Sequence, residues 1–468
     1  MDVVGALVSV VMGYNVVVFA YFILLNAFYL LIFLLSTDQL LYFLQRSRSV
    51  EQFDDPTLMY PSISIIVPAY NEEKTIVASV KSFLENDYPN LEVVVVNDGS
   101  ADYTMEVLRK RYRLIESSRG VDEQLPTHQV KMTYCSVEEP HLIVVDKHNG
   151  GKADALNAGI NYARGSLFCA VDADSIIEVD ALRKLVRKYL DRKEKIVALG
   201  GIVRIANGCS IKDGKVERVS LPSSMLATFQ VVEYIRAFLC GRVGWNKLNI
   251  LLIISGAFGL FERKTVINAG GYKTDTVGED MELVVRLHKY MRKRKKSYKA
   301  YFLPDPVCWT EVPESRRVLR TQRRRWQRGL AETMYEHRRM VGNPRYGAIG
   351  LIGMPYFLFF ELLGPVIETT GYFVVALSFV FGLISAGVFM LFVMLSLVIG
   401  MLLSVFSLLM EEFTIKRYQR KRDVLKLFIF ALLENFGYRQ LNSWWRLLGL
   451  KDYIRKQGSW GSMERKGL

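Results

Sequence analysis

The sequence predicts an α/β domain built on a parallel sheet and held between helical membrane segments, and three observations carry this. Apolar residues crowd the two ends of the chain, while most of the charge lies in the middle. After Pro61, short apolar runs alternate with amphipathic stretches, the mark of βαβ units. Successive apolar runs end in polar residues, which places those residues at the sheet edge where open α/β folds bind ligands. The expected division is a membrane segment over 1–50, an α/β domain over 51–345 closed by a long amphipathic helix, and membrane and interfacial helices over 346–468.

Half of the 468 residues are hydrophobic, yet 61 Lys and Arg against 47 Asp and Glu leave a formal charge of +14. A basic chain is a candidate nucleic-acid binder. Such binders rarely need apolar tails, so no nucleic-acid partner is expected; membrane lipids with an anionic face and a phosphorylated substrate account for the excess. Cys135, Cys169, Cys209, Cys240 and Cys308 show no Cys-x-x-Cys spacing, which points away from a disulfide framework or a zinc site and fits a reducing compartment. The N-terminal stretch lacks a basic leader and is too long for a signal peptide.

Val3–Leu44 carries hardly a charge and exceeds the roughly 20 residues that cross a bilayer; one tilted span or two tightly joined ones fit, and the lack of a Gly/Pro turn between the halves favours one. Arg46 and Arg48 follow, and the positive-inside rule then puts the next segment in the cytosol. A strand over 62–67 runs into Pro68-Ala69-Tyr70-Asn71-Glu72-Glu73, the turn to a helix over 76–84. A second strand over 91–96 ends at Asn97-Asp98-Gly99-Ser100. Asp98 is suited to accept a hydrogen bond from an imide N–H such as uracil's, and Tyr70 to stack on a base; ordinary turn chemistry is the alternative for each. A strand over 142–146 leads into Lys147-His148-Asn149-Gly150-Gly151-Lys152. Two glycines before a helix form a backbone cradle for an anion, with the Lys152 ammonium at its lip. His148 has no second His or Cys at ligand spacing and reads as a loop polar group.

The apolar run 167–171 stops on Asp172-Ala173-Asp174. Two hard oxygen ligands one residue apart can share a divalent cation, and Mg²⁺ takes one or two carboxylates plus substrate phosphates. An Asx-turn is the alternative. A helix over 180–190, a strand over 197–202 and a loop over 207–213 follow. Ser255-Gly256-Ala257-Phe258-Gly259 suits close approach by a ligand or plain packing. Thr276-Val277-Gly278-Glu279-Asp280 opens a helix over 281–290; first-turn acids suit the helix dipole, and one that faces a cleft also suits a general base. The basic run 292–296 reads as a solvated face or a contact with anionic lipid.

A helix over 315–339 carries Gln322, Arg325 and Trp326 at i, i+3 and i+4 on one face. That face offers an amide, a guanidinium fork for phosphate oxygens and a flat aromatic for a sugar ring. From 349 to 410 the chain is almost purely apolar, and basic residues from Lys416 to Arg422 should again be cytosolic, so two spans are expected within about 366–410. Pro355, Glu361 and Pro365 then lie at the interface. The stretch 424–436 is too short to span and reads as interfacial or re-entrant, and Trp444, Trp445, Arg446 and Trp460 as an interfacial aromatic anchor.

Taken in order, Pro68-Ala69-Tyr70-Asn71-Glu72, Asn97-Asp98-Gly99-Ser100, Asp172-Ala173-Asp174, Gly278-Glu279-Asp280 and Gln322-Arg323-Arg324-Arg325-Trp326 resemble the membrane-embedded family 2 glycosyltransferases. These include bacterial poly-N-acetylglucosamine, cellulose, chitin and hyaluronan synthases. The resemblance covers about 61–329 and implies a GT-A (Rossmann-like) domain, a UDP-sugar donor (UDP-GlcNAc or UDP-glucose) and Mg²⁺ or Mn²⁺. It also implies a growing glycan or lipid acceptor, a multi-pass plasma-membrane location with the catalytic domain cytosolic, and an accessory export subunit. By motif position, Asp98 contacts uridine, Asp172 and Asp174 the donor diphosphate and metal, and Asp280 is the base. Gln322, Arg325 and Trp326 bind diphosphate and the acceptor end; Pro68, Tyr70, Glu72, Lys152 and Glu279 complete the substrate-binding set. Gly278 stands where many members have Thr, which blurs the sugar assignment. Processive elongation, transfer of one sugar to a lipid, and an idle UDP-sugar sensor or transporter remain as alternatives; product length separates the first two, and UDP release rejects the third.

Overall fold

The computed structural model describes residues 3–50, 59–190 and 194–455, the side chains of 45–50 excepted. The side chains of Arg46 and Arg48, and the whole of Trp460, therefore lie outside the described residues. Helix α1 (Val3–Val50) leads into β1 (Ile63–Ala69), α2 (Ile76–Leu84), β2 (Leu91–Asn97), α3 (Thr104–Tyr112), β3 (Leu114–Glu116), β4 (Val130–Ser136), β5 (Leu142–Lys147) and α4 (Lys152–Tyr162). Next come β6 (Leu167–Val171), β7 (Ser175–Ile177), α5 (Ala181–Tyr189), β8 (Ile196–Ile205) and the hairpin β9 (Ser210–Lys212) and β10 (Lys215–Arg218). Helix α6 (Met225–Ile235) continues through a π-helical turn, Arg236–Arg242, into α7 (Val243–Lys247), followed by β11 (Phe258–Glu262), α8 (Arg263–Asn268), α9 (Glu279–Lys293), β12 (Lys299–Thr310) and α10 (Arg316–Glu336). The C-terminal part holds the short α11 (Met354–Tyr356), then α12 (Gly364–Val380), α13 (Ala386–Val393), α14 (Ile399–Thr414), α15 (Lys421–Leu433) and α16 (Tyr438–Ile454).

Among the described residues the main sheet has ten strands in the order β3-β4-β5-β2-β1-β6-β11-β8-β12-β7. Its centre, β5-β2-β1-β6, is parallel, and the register sets Ala69 level with Asn97 and Asn97 level with Asp146. The chain therefore leaves these strands along one edge. Their interiors are almost wholly buried, as strands covered on both faces require. Helix α4 lies close against β1 because Gly159 has no side chain: a Cβ there would fall within contact of Ile66 Cγ2. Beyond β6 the sheet turns mixed, with β11 antiparallel to both β6 and β8 and β12 parallel to β8.

Several elements differ from expectation. The expected 207–213 loop holds the short strand β9 between turns and runs into its hairpin partner β10, and β3, β4, β7, β11 and β12 were not expected as strands. Pro304 and Pro306 interrupt β12, and the ladder to β8 absorbs them by a register shift between Phe302 and Val307.

Val3–Leu44 and Ala386–Thr414 are each long and apolar enough to cross a membrane. Ile349–Leu362 and Gly364–Val380 form a third candidate only as a pair bent by 44°, since Gly364–Val380 alone has 17 residues. Pro355 and Glu361 thus belong to the first half of that pair. Ion pairs tie the apolar helices to the sheet and to the π-helical turn. Arg204 on β8 meets Glu411 on α14 at 2.8 Å, both buried, Arg236 meets Glu434 at 2.6 Å, and Arg417 meets Glu178 at 2.6 Å. Removing Arg204 would strand the buried Glu411 charge, and removing Arg236 the buried Glu434 charge.

Helix α16 packs along α10 through Trp445, Tyr438 and Leu319, with Arg324 and Asp452 paired at 2.6 Å. This corrects the reading of the tail as an aromatic anchor: Trp445 is buried core between two helices, and only Trp444 of the two is exposed.

Candidate active site

The strand ends and two helices converge on one cavity of about 1060 Å³, lined by Asp98, Asp172, Asp174, Glu279 and Asp280. Pro68, Tyr70, Glu72 and Lys152 line it too, as do Gln322, Arg325 and Trp326 from α10. Each residue expected from the sequence to bind substrate or metal or to act as the base thus lines this one cavity.

After β1 the chain reverses at Asn71, whose φ of 57° lies in the left-handed region that Asn tolerates. Its backbone N–H donates to Ser100 Oγ at 3.0 Å and its Oδ1 accepts from Ala101 N–H at 2.8 Å, which ties the first loop to the second. Tyr70 stays exposed, while Glu72 is buried and accepts from Thr75 Oγ1 at 2.8 Å.

Asp98 alters the expectation for the glycine cradle. Its Oδ1 accepts from Lys147 Nζ at 2.6 Å and Gly150 N–H at 3.0 Å, and its Oδ2 from Gly151 N–H at 2.8 Å. The anion in the cradle is therefore the protein's own Asp98 carboxylate. A carboxylate offers about four acceptor positions and three are used, so one is left for a single donor such as an imide N–H. Burial pushes the Asp98 carboxyl above its ordinary range, and Lys147 and the two glycine N–H groups pull against that. Lys147 is fully buried and also pairs with Asp154 at 2.5 Å; sequence reading passed over it, although a lysine that closes an apolar strand is itself a signal.

Lys152, the first residue of α4, sets its ammonium on Asp172 Oδ1 at 2.5 Å, with Glu279 Oε1 at 3.9 Å. These carboxylates raise its pKa to about 12 in spite of burial, which pulls the other way. Gly256 borders the group: a Cβ there would stand 3.1 Å from Lys152 Nζ and 3.6 Å from Asp280 Cβ. Its N–H donates to Asp280 Oδ2 at 3.3 Å, so at Gly256 the small-residue stretch makes room for the protein's own Lys152 and Asp280 side chains. Burial raises the neighbouring Glu279 carboxyl to about 7; the Asp280 charge adds to the rise, and Lys152 and Arg325 oppose it.

Asp172 and Asp174 are hard oxygen donors at one strand end. No group of three or more His, Cys, Asp or Glu placed to hold a metal exists among the described residues. Two carboxylates that leave the remaining positions to substrate phosphate and water suit Mg²⁺ or Mn²⁺, so the residues present fit such an ion.

The start of α9 touches α10 directly. A Cβ on Gly278 would lie 2.8 Å from Gly329 Cα, which leaves no space for a larger residue such as Thr. Glu332 on α10 accepts from Thr276 Oγ1 at 2.8 Å and from Val277 N–H at 2.9 Å, which holds the loop before Asp280. On α10, Gln322 is buried with its Oε1 unpaired among the described residues, and Trp326 is 43% exposed with the Arg323 guanidinium 4.5 Å from its ring centre. Arg323 in turn pairs with Glu233 at 2.8 Å.

The mixed sheet with acids at its strand ends is of the GT-A glycosyltransferase kind. A mannosyltransferase from Pyrobaculum calidifontis, solved with GDP-Man and Mn²⁺, superposes with a TM-score of 0.52 at 21% identity, over 90% of this chain and 99% of that one. The chain belongs to glycosyl transferase family group 2, whose model matches residues 167–410; the model of glycosyl transferase family 2 matches residues 64–213. A poly-beta-1,6-N-acetyl-D-glucosamine synthase of Staphylococcus epidermidis is 29% identical over 272 residues, 58% of this chain and 55% of that protein. The synthase of the same name from Staphylococcus aureus strain COL is 29% identical over 273 residues, with the same shares. The matched region thus spans about half the length of these relatives.

Proposed function

We propose that this protein is an inverting membrane glycosyltransferase that uses a UDP-sugar to elongate a β-linked polysaccharide and carries the product across the membrane. The observation that supports this is the single cavity, lined both by the carboxylates and by Phe22, Leu25 and Asn26 of α1, Tyr372 of α12 and Leu395 between α13 and α14. A path from the acids to the apolar helices suits a glycan that leaves through them. The names of the staphylococcal relatives favour N-acetylglucosamine as the sugar and UDP-N-acetylglucosamine as the donor. The basic residues from Lys416 to Arg422 and the positive-inside rule favour a cytosolic catalytic domain in the plasma membrane. An accessory export subunit belongs to the same reading.

Asp280 takes the proton from the acceptor hydroxyl as that oxygen attacks the anomeric carbon. The bond from this carbon to the diphosphate breaks, and UDP departs with the electron pair. Asp98 accepts from the uracil imide, and Tyr70 stacks on the base. A divalent cation held by Asp172 and Asp174 would supply Lewis-acid neutralisation of the diphosphate. Lys152 and Arg325 add fixed positive charge to the leaving group, and Trp326 offers its face to the acceptor sugar. The test is to supply each UDP-sugar separately to purified protein and to analyse the product by mass and by linkage-specific glycosidases. UDP release with polymer that yields to a β-N-acetylglucosaminidase is expected; single-sugar products would reject elongation, and no UDP release would reject the reaction.

A further inference from the structure

Seven cations line the cavity, and most are already engaged. Lys152 pairs with Asp172, Arg323 with Glu233, Arg236 and Arg439 with Glu434, and Arg446 with Glu361, while Arg325 also interacts within the protein. Arg242 is the exception: among the described residues it forms no ion pair, and its Nη1 is buried without a hydrogen-bond partner. A buried donor left unpaired carries a desolvation penalty that a ligand oxygen would relieve.

Arg242 closes the π-helical turn 236–242, the irregular stretch between α6 and α7. Such turns break the side-chain period and aim a residue off the regular helix face, often at functional sites. Its guanidinium lies over the Phe238 ring, 3.8 Å from the centre. That contact fixes the flat face of the group and leaves its N–H edge for acceptors. Burial pulls its pKa down to about 10, and the charge on Asp280 opposes this, so the group sits in the field of the proposed base.

We infer that Arg242 is a sugar-binding residue of this site, whose N–H edge takes a hydroxyl or acyl carbonyl oxygen of the sugar held beside Asp280. This rests on the glycosyltransferase reading above. Lys152 and Arg325 already serve the diphosphate there, so Arg242 discriminates a UDP-sugar or an acceptor glycan from UDP alone. The oxygen belongs either to the donor sugar or to the terminal acceptor sugar, and these sources separate by experiment.

Full-length wild type, Arg242→Met and Arg242→Lys are compared in one membrane mimetic. Calorimetry gives the affinities for UDP and UDP-N-acetylglucosamine, and UDP release is followed with and without an N-acetylglucosamine oligosaccharide. UDP affinity is expected to hold within about twofold in both variants, which also reports an intact fold. Loss of a charge-assisted pair corresponds to about a 10- to 100-fold rise in KM for Arg242→Met, with partial recovery in Arg242→Lys. A rise in the donor KM without oligosaccharide assigns the donor sugar; a rise confined to the oligosaccharide KM assigns the acceptor. Unchanged KM values for both, or UDP affinity that falls as far as the KM rises, overturn the inference. If wild type binds UDP yet releases none from any UDP-sugar, the proposed reaction fails. Arg242 is then judged by the ratio of UDP-N-acetylglucosamine to UDP affinity, which Arg242→Met must lower and an unaltered ratio would refute.

Discussion

Replacing Glu279 by Gln tests the electrostatics of the site most directly. Burial moves this carboxyl from 4.5 to about 7, against the pull of Lys152 and Arg325. At 1.36 kcal/mol per pH unit the rise corresponds to about 3 kcal/mol between the protonated and ionised forms. The folded protein holds the proton more tightly than the unfolded chain does. The associated stability is therefore fully present below 4.5, declines as pH climbs, and is gone once pH passes about 7. Gln at this position does not ionise. Glu279→Gln should therefore match wild type near pH 4.5 and exceed it, by at most about 3 kcal/mol, near pH 8.5. Equilibrium unfolding of the metal-free protein in one detergent, at both pH values, reads this difference; groups remote from Glu279 cancel between the two proteins. If the variant instead loses stability at the higher pH, the pairing of an ionised Glu279 with Lys152 outweighs burial and the reasoning is wrong.

Three further outcomes are expected. Asp280→Asn should lower turnover by about 10²- to 10⁴-fold while UDP binding persists, and a wild-type rate would move the base elsewhere. Asp174→Ala should abolish the Mn²⁺-dependent part of UDP-sugar binding in a metal titration; a titration like that of wild type contradicts the ligand assignment. Gly278→Thr drives a Cβ to 2.8 Å from Gly329 Cα and should destabilise by about 1–3 kcal/mol, seen as a lower thermal midpoint. An unchanged midpoint would mean that the two segments part freely.

The central strands were legible because burial on both faces leaves a continuous apolar signature: β6 and α2 match their expected bounds, and β1 and β2 differ by two residues or fewer. Strands β4 and β12 were not legible, for separate reasons. In β4 polar residues interrupt the apolar ones, and in β12 Pro304 and Pro306 argue against a strand until a neighbour is seen to absorb the shift. The acids at the strand ends could be found one by one from local pattern. What fills the glycine cradle could not, because Asp98 reaches Gly150 and Gly151 from some fifty positions away. Arg242 had a readable sign, a lone charge in the apolar stretch from Phe238 to Trp245, but nothing local says that its Nη1 is left without a hydrogen-bond partner among the described residues.

The ion pairs of Arg204 and Arg417 tie the sheet to the region of α14 at two points, and that of Arg236 ties the π-helical turn to the end of α15. A platform bolted down in this way cannot rock as a body without exposing buried charge to a dry interface. Any ratcheting of a polymer past the acids is therefore left to the polymer and to the side chains that grip it.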